Sequence, residues 1–205
     1  AETGFFHDRK LETGELINFL PDRLDPNAIS DANVFSLKVD RTGVLWVGTY
    51  SQGLNKADLY RKDFAHFTSS PGKSNAMSGN TISGLTSNNA KELWVGTRDG
   101  EGINRFVFNG NLEPQVYRYL DDPNDPNNIL GISCLSLLQR RNGEVWIGSQ
   151  GFLTKLLPEP AGSGRRPQVT RYTKGEWTFS LFEDSRGVLW GGTWDGGMWR
   201  FNEET

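Results

Sequence analysis

Four short segments carry the residue types that could do chemistry: Tyr50-Ser51-Gln52, Arg98-Asp99-Gly100-Glu101, Gln150 and Trp194-Asp195. Trp177 stands shortly before the last of them. Aromatic, amide and charged groups together suit a sugar or another polar small molecule, which needs apolar surface and a few orienting polar groups. Asp99 with Glu101, or Asp195 with a carboxylate from another loop, could also form an acid/base pair. Carboxylates on loops more often face solvent or shape turns. Arg98, Asp99 and Glu101 could simply pair with one another in water, where ion pairs contribute little. The reading taken is a ligand site at Tyr50, Gln52, Arg98, Asp99, Glu101, Gln150, Trp177, Trp194 and Asp195, with no catalytic residue.

Other reactive residue types are few. His7 and His66 have no cysteine or carboxylate at ligand spacing, so neither a metal nor a cofactor is expected. Cys134 is the single cysteine and sits in an apolar run, as a buried inert thiol would. No nucleophile elbow or phosphate-binding glycine loop appears, and Gly191-Gly192 and Gly196-Gly197 read as turn and packing glycines. Lys and Arg number 22 against 25 Asp and Glu, for a formal charge of −3. That balance lacks the basic footprint of a nucleic-acid binder. No apolar run reaches transmembrane length.

The candidate segments all follow one recurring pentad. Leu45-Trp46-Val47-Gly48-Thr49 returns as Leu93-Trp94-Val95-Gly96-Thr97, Val145-Trp146-Ile147-Gly148-Ser149 and Leu189-Trp190-Gly191-Gly192-Thr193. The tryptophans lie 48, 52 and 44 residues apart. Four copies at a nearly fixed period mean a repeat architecture. Each pentad reads as a strand that is apolar on both faces, and so is sandwiched between two layers. A shorter apolar strand and a polar turn precede it, as in Val34–Val39 with Asp40-Arg41-Thr42-Gly43. A glycine and a third strand follow, as in Gly53-Leu54-Asn55-Lys56, and then a more polar fourth strand. Four antiparallel strands in a meander have the size of a propeller blade. The pentad tryptophans read as blade-to-blade packing, whereas Trp177 and Trp199 fit a core role better than a site.

The expected fold is all-β: a β-propeller of four-stranded antiparallel blades, with about four and a half blades present. Whole blades are expected at 33–80, 81–131 and 132–175, with partial blades at 1–32 and 176–205. The chain is read as one propeller segment. The Pro/Gly-rich stretch Pro158–Pro167 reads as a mobile excursion. The incomplete end blades are expected to close, with residues 15–20 completing the last blade, or to pair with a second copy of the chain.

The pattern Asp40-x-x-Gly43-x-Leu45-Trp46-Val47-Gly48-Thr49, with its echo Asp184-x-x-Gly187-x-Leu189-Trp190-x-Gly192-Thr193, resembles the two-component regulator propeller repeat. The resemblance covers nearly the whole chain and is weakest in the third repeat, which lacks the leading Asp and the Thr. It implies a larger, seven-bladed type of propeller in the periplasmic sensor part of a hybrid histidine kinase or a diguanylate cyclase. It also implies further blades, a C-terminal signalling region and a polysaccharide-derived ligand. The rival reading is a propeller enzyme, such as a lyase of the streptogramin-inactivating type. That reading wants a histidine and acidic residues converging near the axis. A third reading is a purely structural scaffold.

Overall fold

The computed structural model of the protein describes residues 5–10, 15–58, 64–70, 72, 73, 75–98, 102–109, 113–120 and 133–202. All regular structure among them is β. β1 (Phe5–Lys10) and β2 (Glu15–Phe19) form a two-stranded sheet. β3 (Val34–Val39), β4 (Val44–Thr49), β5 (Leu54–Asp58) and β6 (Phe64–Phe67) form the first whole blade. β7 (Ile82–Thr86), β8 (Glu92–Thr97), β9 (Ile103–Val107) and β10 (Gln115–Tyr119) form the second. β11 (Ser136–Gln139), β12 (Val145–Gly148), β13 (Gln150–Leu157), β14 (Gln168–Glu183), β15 (Leu189–Thr193) and β16 (Met198–Arg200) follow as one six-stranded sheet in chain order. Every pairing within the sheets is antiparallel, as a meander requires.

The six-stranded sheet is two blades sharing one strand. Gln168–Trp177 pairs with β13, and from Thr178 on the same strand pairs with β15. Elsewhere the chain takes a long link between blades, as at residues 68–81. Those links follow a common pattern. Ser30 N donates to Asn55 Oδ1 at 3.0 Å and Asn55 Nδ2 returns a bond to Ser30 Oγ at 2.8 Å. Ser78 and Asn104 repeat the pair at 2.8 and 3.0 Å. Such pairing is what allows Asn55 and Asn104 to be buried in the third strand. The third repeat has Thr154 at that position, and its tail needs no such link to reach the fourth blade.

Blades stack through the pentads. Trp46, Trp94 and Trp146 are at most 1% exposed. Trp46 clusters with Leu54 of its own blade and with Ile82, Leu93 and Phe106 across the first interface. Trp94 packs with Cys134 and Leu137 across the second. The pentad glycine admits the next blade. A Cβ on Gly48 would stand 2.7 Å from Ile82 Cγ2, and one on Gly148 would stand 2.6 Å from the Thr178 carbonyl oxygen. Gly96 meets Cys134 in the same way. Cys134 is fully buried there, and burial pushes its thiol up to about 12. This fits the expected inert thiol.

In three of the four repeats a carboxylate accepts the indole N–H of the pentad tryptophan. Asp40 Oδ1 accepts from Thr42 N (2.8 Å), Thr42 Oγ1 (2.6 Å) and Val44 N (3.1 Å), while Oδ2 accepts from Trp46 Nε1 (2.9 Å). Asp184 does the same with Arg186 N, Val188 N and Trp190 Nε1, at 2.9, 2.9 and 3.1 Å. In the third repeat Glu144 takes over, accepting from Trp146 Nε1 at 3.0 Å. Glu92 is its counterpart in the second repeat but is drawn to Arg105 instead, at 2.5 Å. Trp94 Nε1 is left without a protein partner.

Arg105 is 4% exposed and lies over the Trp94 ring, 5.4 Å from its centroid. It also reaches the third blade, donating to the Glu159 carbonyl at 2.7 Å, and the Tyr119 hydroxyl donates to Glu159 Oε1 at 2.8 Å. Burial first, and the Glu159 carboxylate second, push the Tyr119 phenol well above its ordinary range. The root of the Pro158–Pro167 excursion is thus latched onto the second blade, where the sequence suggests a mobile stretch.

Residues 15–19 pair with β1 rather than completing the last blade. Closure through β2 is therefore not how the sheets are arranged. Phe35, Leu37 and Val39 on β3 are exposed at 52, 53 and 53%, and Phe182 and Met198 at the other end at 64 and 69%.

Three outcomes follow from this packing. Trp94→Ala should cost about 3–5 kcal/mol, and Arg98→Ala less than about 0.5 kcal/mol; equal midpoints in chemical denaturation would contradict the assignment. Arg105→Ala should free the strap at Pro158–Pro160 and speed tryptic cleavage after Arg165 several-fold, whereas an unchanged rate would remove the latch. The third concerns acid. Burial alone would raise the Asp40 carboxyl, but hydrogen bonds from Thr42, Trp46 and Val44 outweigh it and hold it below the usual range. A depressed native value gives stability that is present above the unfolded value of about 4 and is lost as pH falls through the native one. Asp40→Asn should therefore lose less stability than the parent between neutral pH and about pH 3 in urea melts. Equal acid losses in the two proteins would contradict this account.

Candidate functional site

The loop after each pentad is closed by the pentad's last residue. Thr49 Oγ1 donates to the Gly53 carbonyl at 2.7 Å and Thr97 Oγ1 to that of Gly102 at 2.6 Å. Ser149 Oγ bonds to Phe152 O at 3.1 Å and Thr193 Oγ1 to Gly197 O at 2.9 Å. Gly53, Gly102 and Gly197 have φ of 83, 95 and 72°, a region that favours glycine. The hydroxyl and the glycine together fix the loop's width.

A second bond pins the first loop residue onto the start of its own blade. Tyr50 N donates to Asn33 O at 3.0 Å, Arg98 N to Thr81 O at 3.0 Å and Trp194 N to Trp177 O at 3.1 Å. Tyr50, Arg98 and Trp194 therefore occupy one repeated position, above the innermost strands. Gln150 is the third repeat's residue there, and it pairs with Trp177 across β13 and β14.

This register gathers part of the expected site. Gln150, Trp177 and Trp194 converge at the junction of the third and fourth blades. Phe179 lies between the two indoles: its ring centroid is 6.2 Å from Trp177, nearly parallel at 28°, and 5.4 Å from Trp194, tilted by 44°. Trp177 is 45% exposed and Trp194 71%. Trp177 thus forms surface, where the sequence reading favoured core, while Trp199 does join the core with Trp146 and Leu189. Asp195 is exposed on the same loop, and the Glu176 carboxylate lies against Gly196, with Oε1 2.8 Å from where a Cβ would stand.

Tyr50 lies apart, on the first blade, over Phe35 at 5.2 Å. Its loop is braced by Asp31, which accepts from Ser51 N at 3.1 Å and Ser51 Oγ at 2.9 Å. Gln52 N bonds to Thr49 Oγ1 at 3.2 Å, and its carbonyl receives Ser30 Oγ at 3.3 Å and the ring of His66. The Gln52 side chain is exposed. Arg98 is half-buried, and Asp99 and Glu101 lie outside the described residues. Phe35, Phe179 and Glu176 were missed by sequence reasoning. The first two share the repeat's second first-strand position, which aligning the repeats could have revealed.

At the same position Tyr50 is 50% exposed over the exposed Phe35 of the first blade, whereas Arg98, between the first and third blades, is half-buried. Among the described residues, no group of three or more His, Cys, Asp or Glu is placed to hold a metal. His66 sits on the outermost strand of its blade, far from the inner strands in sheet order.

Comparison with known proteins agrees with this architecture. The family model described as "Two component regulator propeller" matches residues 28–51. No curated protein matches the chain. Among solved structures, the chain is similar to the extracellular domain of a protein described as a hybrid two component system, BT3049 from B. thetaiotaomicron (TM-score 0.69, 19% identity, 94% of this chain and 24% of that one). It is also similar to PorZ, described as a surface component of the type-IX secretion system of Porphyromonas gingivalis (TM-score 0.74, 18% identity, 98% and 30%). Virginiamycin B lyase from Staphylococcus aureus is a further match (TM-score 0.58, 12% identity, 95% and 61%). The chain spans 24 and 30% of the length of the first two. Residues 28–51 thus match the two component regulator propeller model, within an all-β chain whose four-stranded sheets have the fold of β-propeller blades.

Proposed function

We propose that this chain is a ligand-sensing segment of the extracytoplasmic propeller of a bacterial signal-transduction receptor, and that its mouth binds a carbohydrate or another polar small molecule. One observation carries the reading: Trp177, Phe179 and Trp194 form an open aromatic surface beside Gln150 and Asp195. Exposed indoles flanked by polar groups suit a ligand with apolar faces and hydroxyl edges. The regulator-repeat match and the fold shared with an extracellular two-component domain support the cellular setting. Signal output would pass to a C-terminal signalling region. Further blades, or a second copy of the chain, would cover the apolar end faces at Phe35, Leu37 and Val39 and at Phe182 and Met198.

The lyase fold among the similar structures keeps an enzymatic reading in view. Such a site needs a general base near the axis. His66 is on an outer strand with its ring at the Gln52 carbonyl, so it does not supply that base.

Trp194→Ala should abolish binding on a glycan array, weakening affinity at least about tenfold, with the far-ultraviolet spectrum unchanged. Undiminished binding by Trp177→Ala and Trp194→Ala together would overturn the site. Turnover of a bound glycan would favour the lyase.

A further inference from the structure

We propose that the aromatic surface at Trp177, Phe179 and Trp194 takes a ligand bearing an organic cation, such as the protonated amine of an amino sugar. The inference rests on the reading that this mouth binds a small molecule, and it specifies the charge of that molecule. Three observations lead to it.

The first is the sign of the charge around the rings. Glu176 lies against the loop of Trp194 through Gly196, and Asp195 is exposed on that loop. Neither is in an ion pair among the described residues. Two carboxylates beside exposed indoles repel an acidic ligand and attract a cation.

The second is how this chain treats its other tryptophans. Lys56 stands over Trp46 at 5.7 Å, Arg105 over Trp94 at 5.4 Å and Lys155 over Trp146 at 5.8 Å. Three of the pentad indoles thus face a cation from the neighbouring third strand. Among the described residues no cation stands over Trp177 or Trp194. Their faces are electron-rich, open and flanked by carboxylates, which is the arrangement that recognises ammonium groups.

The third is rigidity. Trp194 N is held to Trp177 O, and Thr193 Oγ1 to Gly197 O. The rings and Glu176 are therefore mounted on a braced strand pair, so a ligand meets a surface already formed. Gln150, opposite Trp177 in the register, supplies an amide for a hydroxyl or carbonyl of the same ligand.

The test is a titration of the intact chain by tryptophan fluorescence and calorimetry, at mildly acidic pH where amines are protonated. The probes are a glucosamine oligomer, its N-acetylated counterpart, a neutral glucose oligomer and choline. The expected result is that the glucosamine oligomer binds at least about tenfold more tightly than the other two sugars. Glu176→Gln and Asp195→Asn should each reduce that preference, and added salt should weaken it. Choline binding without any sugar binding would uphold the cation and overturn the carbohydrate reading. Equal affinity for charged and neutral sugars, unaffected by Glu176→Gln, would overturn the cation and leave the carbohydrate reading standing. Binding of none of the four probes would overturn the cation proposal. The effect of Trp177→Ala and Trp194→Ala on a broader array would then decide the parent reading alone.

Discussion

The structure depends on the close approach of each blade's innermost strand to the pentad glycine of the blade before it. At Gly48 the next blade presents Ile82, at Gly96 Cys134 and at Gly148 the backbone of Thr178. Any Cβ at these glycines would displace the partner, and overpacking of this kind is costly. The same approach buries Trp46, Trp94 and Trp146, while the register within each blade sets a cation of the third strand opposite each ring. It also sets where the Thr or Ser that ends the pentad can close its loop. The mouth is therefore a consequence of blade packing. Residues 50, 98, 150 and 194 differ from repeat to repeat, and variable loops on a constant frame are where binding usually resides.

Departures from the repeat show which contacts are interchangeable. An indole N–H in a blade interface wants an acceptor. Asp40 and Asp184 supply it from before the turn, and Glu144 supplies it from just after the turn, before β12. In the second repeat Arg105 diverts Glu92 and gains Glu159 from the neighbouring blade. One orphaned indole is exchanged there for a link between blades. The third repeat drops the buried Asn–Ser pair and runs its outer strand directly into the next blade.

Much of this was legible in the sequence, because the pentad is a dense signal. Short runs apolar on both faces and rich in β-branched and aromatic residues read as strands between layers, and Trp46, Trp94 and Trp146 are buried as that reading requires. Contacts that join residues far apart were not legible. Arg105 and Glu159 meet across 54 positions, so the Pro/Gly-rich composition of the excursion pointed to mobility. The candidate site was half legible. The loops could be named, yet their grouping depended on a register shift between Gln150 and Phe152 that sets Gln150 opposite Trp177. Trp177 reads as core by residue type and is 45% exposed where β14 passes from the third blade to the fourth.

The central claim is that the repeat builds a packed frame and leaves the aromatic surface at Trp177, Phe179 and Trp194 open for a ligand. The seven tryptophans report on both halves of it. Indole N–H resonances, assigned by substitution, should be followed during titration with a glucosamine oligomer. The account predicts shifts at Trp177 and Trp194, with Trp46, Trp94 and Trp146 unmoved. Shifts centred on the pentad indoles, with Trp177 and Trp194 silent, would contradict it.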